Sequence, residues 1–123
     1  MLLGDFYTIQ SIQEEDASIN AILELNRQHP IFAGHFPSQP VVPGACLLQI
    51  VKEIMQTVTG NDLQLKKANQ IKFLSIINPV NSSLLRVTIK HAADANDEIT
   101  VSANFSDDTT IYCKFSGLFQ TCK

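Results

Sequence analysis

The sequence predicts an α+β domain in which an antiparallel sheet of about six strands wraps around one long helix, and three observations carry that expectation. The run from Gly44 to about Thr59 places Leu47, Leu48, Val51, Ile54, Met55 and Val58 at three- and four-residue steps, the period of a helix apolar along one stripe. Three later segments alternate apolar and polar residues, the period of a strand with one buried face. Turn-forming text, "DANDE" and "SDDTT", separates those segments at hairpin spacing. A sheet that is apolar on one face needs a cover, and the single long helix is the cover the chain offers.

In chain order, Phe6 to Leu25 reads as two strands with Asp16 near their turn, Ile19, Ala21, Leu23 and Leu25 alternating along the second. The stretch "HPIFAGHFPSQPVVPGACLLQIVKEIM", His29 to Met55, then gathers four of the five prolines and two of the five glycines ahead of the helix. Pro43 and Gly44 suit the helix start, because proline lacks the N–H that a first turn cannot pair. Gly60-Asn61 suits its end. At 1.5 Å per residue the helix is about 24 Å long. After "NDLQLKK" a strand is expected near Ala68 to Ile77, followed by a turn at "NPVNSS". Leu85, Val87, Ile89 and His91 share one face of the next strand, and Ile99, Val101, Ala103 and Phe105 one face of its successor. Ile111, Cys113, Phe115, Gly117 and Phe119 do so in the last. Such a sheet leaves an edge and some apolar area open, so a homodimer is expected.

With 123 residues, 45% of them apolar, the chain is expected to form one domain over residues 1–123. A net charge of −3 without a Lys/Arg block argues against nucleic-acid partners, since phosphate binding needs clustered positive charge. Cys46, Cys113 and Cys122 form no C-x-x-C pair and have no histidine at ligand spacing, which predicts neither a disulfide framework nor a metal site. Reduced thiols suit the cytoplasm. "MLLGDFYTIQ" has no basic leader and no apolar run approaches the roughly 20 residues that span a bilayer, so neither export nor a membrane span is expected.

The proline-rich loop has two readings. His35 stands between Gly34 and Phe36-Pro37, with Pro40 and Pro43 beyond. Prolines fix their own φ and restrict the residue before them, so the imidazole is aimed in advance, as a general base requires. The plainer alternative is a histidine that pins a turn. Gly44 likewise either sets an unobstructed N–H at the helix start, where a carbonyl oxygen would be polarised, or merely lets the chain turn. Gln49 and Glu53, four residues apart, are neighbours on one helix face. They fall with Lys52 and Gln56 on the polar side, which is either a solvated face or part of a site. His29 and His91 receive no role.

"GHFPSQPVVPGACLLQ" resembles the signature of the β-hydroxyacyl-acyl carrier protein dehydratases, a hotdog-fold family with the pattern G-H-F-P-x-x-P-x-x-P-G followed by a helix carrying an acid. "MLLGDFYTIQSI" is similar to that family's opening strand and "IKFLSIINPV" to a later strand end. The resemblance implies a hotdog fold and elimination of water from a 3-hydroxyacyl thioester on an acyl carrier protein, giving the trans-2-enoyl thioester without a cofactor. It implies His35 as the base that takes the C2 proton and the Gly44 N–H as the group that binds the thioester carbonyl. Gly34, Phe36, Pro37 and Pro43 would frame the site. The family builds that site across a homodimer, with the helix acid from the other subunit and an acyl tunnel along the interface.

The chain departs from the pattern where the family reads E-x-x-x-Q on the helix, for here Gln49 and Glu53 exchange amide and acid. Three outcomes stay open. Glu53 acts as the acid with Gln49 orienting it, or Gln49 holds water or the hydroxyl while His35 removes and returns protons, or the chain binds acyl carrier protein without turnover, as an inactive partner subunit. Thioester hydrolysis is the neighbouring enzymatic reading. Lys66 with Lys67, or Arg86 with Lys90, would supply positive charge to meet an acidic carrier.

Overall fold

The computed structural model describes residues 2–34, 41–79, 83–94 and 96–122; His35, Phe36 and Pro37 of the expected site lie outside the described residues. Six strands, β1 (Tyr7–Glu15), β2 (Ser18–Leu25), β3 (Leu63–Phe73), β4 (Leu84–Ala93), β5 (Glu98–Ser106) and β6 (Ile111–Thr121), form one sheet in the order β1-β2-β4-β5-β6-β3. All neighbouring pairs are antiparallel. A short helix α1 (Ile31–Gly34) precedes the long helix α2 (Gly44–Thr59). This is a hotdog fold, the sheet curling around α2. Among the described residues no helix is long and apolar enough to cross a membrane.

Helix α2 runs between the residues where its punctuation places it. Pro43, with φ −62° and ψ 143°, is the N-cap, and Gly60 at φ 73° closes the other end by donating its N–H to Gln56 O at 2.9 Å. Left-handed backbone at that place is what favours glycine. The buried stripe, Cys46, Leu47, Ile50, Val51, Ile54 and Met55, meets the inward rows Ile19–Ala21–Leu23, Leu85–Val87–Ile89 and Val101–Ala103–Phe105. Each such large side chain contributes about 2 kcal/mol by leaving water.

The β1–β2 hairpin turns at Asp16, whose φ of 53° lies in the left-handed region that aspartate enters more readily than most residues. Two expectations are corrected. Strand β3 begins at Leu63 and ends at Phe73, instead of running from about Ala68 to Ile77. Its pairing with β6 slips between Leu65 and Lys67 and again between Ala68 and Gln70, and each bulge breaks the two-residue alternation. Ile111 does not share the buried face and is 47% exposed. A slip at Phe105/Ser106 lets Tyr112 turn inward beside Cys113 instead.

Candidate functional site

The start of α2 is the first half of the site. As the first helical residue, Gly44 has an N–H with no acceptor inside the helix, at the positive end of the helix dipole. A Cβ at Gly44 would lie 2.6 Å from Cζ and 2.8 Å from Cε1 of Phe73, far inside van der Waals contact. The last residue of β3 thus lays its ring on the helix start, and a side chain at position 44 would have to push that exposed ring aside. Beside the ring is a cavity of about 190 Å³ lined by Gly44 and Ser75 and by the apolar side chains of Val41, Val42, Leu47, Phe73, Ile76 and Ile77. An apolar cavity ending at a helix start, whose first N–H has no acceptor within the helix, can hold a short acyl chain and bind its carbonyl oxygen.

The second half lies further along the helix. Gln49 and Glu53 are joined as their spacing predicts, Gln49 Nε2 donating to Glu53 Oε2 at 2.8 Å. Glu53, however, is not on a solvated face, being fully buried. The N-terminal segment covers it. The N–H of Leu2 donates to Oε2 and the N–H of Leu3 to Oε1, both at 2.8 Å, and the Tyr7 hydroxyl donates to Oε1 at 3.2 Å. Leu2 O in turn accepts from Asp5 and Phe6 N–H at 3.1 and 2.7 Å, and Gly4, at φ 91°, provides the turn.

Burial alone would push the Glu53 carboxyl up, but the bonds from Leu2, Gln49, Leu3 and Tyr7 outweigh it and hold it below the ordinary carboxylate range. The Tyr7 phenol is pushed well above its usual value, by burial first and then by the facing carboxylate. The folded protein therefore holds Glu53 ionised and Tyr7 neutral. A general acid needs its proton at working pH, and this environment removes it.

Other groups have ordinary partners. His29 Nε2 meets Asp5 Oδ2 at 3.1 Å while its Nδ1 accepts the Ile31 N–H at 3.1 Å, so the ring steadies α1. His91 sits half-buried on β4. Burial pushes the thiols of Cys46 and Cys113 up, away from thiolate chemistry. Of the cations expected to meet a carrier, Lys66 is paired with Glu98 at 2.7 Å and Arg86 with Asp108 at 3.0 Å.

Sequence reasoning missed the clasp on Glu53 and the ring on Gly44. Tyr7 carried the available signal, because a tyrosine in an apolar, core-facing stretch needs a polar partner for its hydroxyl. No periodicity marks the backbone N–H groups of Leu2 and Leu3.

Comparison with known proteins agrees with this architecture. A family model described as ApeI dehydratase, of the ApeI-like family, matches residues 11–115. The 3-hydroxyacyl-[acyl-carrier-protein] dehydratase FabZ of Aeromonas hydrophila is 22% identical over 117 residues, covering 95% of this chain and 72% of the relative. FabZ of Wolbachia pipientis wMel is 22% identical over 110 residues, 84% of this chain and 77% of its own. Among solved structures, a chain of the dehydratase heterocomplex ApeI:P from Xenorhabdus doucetiae superposes with a TM-score of 0.75 at 19% identity, covering 94% of this chain and 96% of that one. A hypothetical thioesterase from Streptococcus pneumoniae, solved with coenzyme A, gives 0.66 at 12% identity over 94% and 85%. With an apolar cavity ending on a helix start and a matched family model over most of its length, the chain belongs to the ApeI-like dehydratase family.

Proposed function

We propose that this protein eliminates water from 3-hydroxyacyl thioesters of an acyl carrier protein, giving trans-2-enoyl thioesters in fatty-acid-like or polyketide-like synthesis. The observation that carries the reading is the cavity of about 190 Å³ that ends on Gly44, the closing glycine of the G-H-F-P-x-x-P-x-x-P-G segment. In this reading the acyl chain enters the cavity, gaining about 0.8 kcal/mol per buried methylene. The Gly44 N–H donates to the thioester oxygen and stabilises the charge that develops there as His35 removes the C2 proton. Gln49 holds the 3-hydroxyl. Because Glu53 is held as a carboxylate, His35 both takes the C2 proton and returns it to the departing hydroxide, and Glu53 serves by holding Gln49.

The partner surface is the β3 side. Ile71, Phe73, Leu74 and Ile76 are exposed there, by 36% to 62%, along an edge strand and the residues that follow it. A second copy pairing along this edge completes the site as a homodimer, the tunnel running between subunits. A second reading has a different hotdog chain take that place and supply an acid. It is favoured by Gln49 standing at the acid position, and the similar Xenorhabdus chain was solved in a dehydratase heterocomplex.

Turnover by the purified chain tests both. Carrier-bound 3-hydroxybutyrate should yield the enoyl chromophore without free thiol, and His35→Ala should lower the rate by at least about 10³-fold. Release of thiol would replace dehydration by hydrolysis. Inactivity of the chain alone, relieved by a second hotdog subunit, would favour the heterocomplex.

A further inference from the structure

The orientation of Gln49 follows from its partner. Carboxylate oxygens only accept, so the group of Gln49 that faces Glu53 must be the Nε2 amide, as the 2.8 Å bond has it. Glu53 cannot turn to offer anything else, because its two oxygens are held by the N–H groups of Leu2 and Leu3 and by the Tyr7 hydroxyl. The planar carboxamide then sends Oε1 away from the clasp. Among the described residues that oxygen accepts no hydrogen bond. Gln49 is half-buried, on the strip of α2 with Ala45, Leu48 and Lys52 that the sheet leaves uncovered.

We propose that Glu53 is a positioning residue that keeps the Gln49 carbonyl oxygen turned to the substrate, so that this subunit selects thioesters carrying a 3-hydroxyl, or a water in its place, over saturated acyl groups. The proposal rests on the dehydratase reading. An amide oxygen in this position receives the O–H of the substrate and leaves the hydroxyl oxygen free to be protonated from elsewhere. In the reverse direction it orients a water with a lone pair toward C3. A family glutamate at this place can give a proton; the glutamine sorts ligands by whether they have one to share.

Binding separates this from a purely structural role. The probes are pantetheine-linked 3-hydroxybutyramide and butyramide, in which nitrogen replaces the thioester sulfur so that elimination does not follow. Wild-type protein should prefer the hydroxylated probe by about fivefold to tenfold, the worth of one hydrogen bond. Gln49→Leu should abolish the preference while keeping butyramide affinity. Glu53→Gln, whose amide can offer either an oxygen or an N–H to Gln49, should reduce it below about twofold, again with butyramide affinity kept. Tyr7→Phe, which loosens the clasp without removing the carboxylate, should lower it partially and serves if Glu53→Gln does not fold. An undiminished preference in Gln49→Leu or Glu53→Gln overturns the proposal. Butyramide binding without any hydroxyl preference in the wild type overturns the orientation alone, whereas failure to bind either probe overturns the dehydratase reading beneath it.

Discussion

On the β1 side of α2 four donors, the N–H groups of Leu2 and Leu3, the Tyr7 hydroxyl and the Gln49 amide, converge on Glu53, and the nearby sheet edge carries Gln10, Gln13, Glu14 and Glu15. On the β3 side Phe73, Leu74 and Ile76 are exposed, and the Phe73 ring lies against the opening residue of α2. Both sides are sheet edges of one fold. Strand β1 is mostly polar, whereas β3, which carries Lys66, Lys67 and Lys72 along its length, leads into the exposed apolar residues Ile71, Phe73, Leu74 and Ile76, and an exposed apolar end of this kind invites a partner. The contrast teaches that this small domain places its internal stability on one flank and its unmet surface, with the helix start, on the other.

Substitutions on the two flanks should therefore fail differently. The largest effect is expected at Gly44, where a valine displaces the exposed Phe73 ring and fills the mouth of the cavity. Turnover should fall by about 10²- to 10³-fold, the usual cost of losing an oxyanion donor, with the melting temperature little changed. A loss of fold instead of rate would erase the distinction between the flanks.

Glu53→Ala should do the opposite, costing about 3 kcal/mol in urea unfolding by leaving buried N–H and hydroxyl donors without an acceptor. Its pH dependence has a definite sign. A carboxyl whose folded pKa lies below its unfolded value stabilises the fold above the unfolded value, near 4.5, and that contribution disappears as pH falls through the folded one. The difference between wild type and Glu53→Ala should accordingly be full at neutral pH and narrow in acid. The smallest effect belongs to Lys66→Ala: its exposed pair with Glu98 should be worth a few tenths of a kcal/mol in the same unfolding assay, and less in high salt.

How far the chain could be read in advance follows the same division. Helix α2 was legible to its ends because sixteen residues of one period are bracketed by Pro43 and Gly60, and local signals decide such elements. The inward rows of β2, β4 and β5 were legible for the same reason. Strand β3 was misplaced because its bulges erase the alternation, and α1 is only four residues long. Glu53 was recognisable as Gln49's neighbour, since a turn of helix makes them so. Its burial was not, because the groups that cover it lie 46 to 51 residues away in the chain and leave no periodic trace.

The chain contains two tyrosines and no tryptophan, and each phenol ends on a carboxylate, Tyr7 on Glu53 and Tyr112 on Asp107. The second acid is held down to about 2, chiefly by that phenol. Carboxylates that accept a phenolic proton quench tyrosine emission, so the native molecule should be dim in ultraviolet fluorescence. Replacing Tyr112 with phenylalanine leaves a single optical gauge, and its brightening then announces the moment the chain's front lets go of the helix.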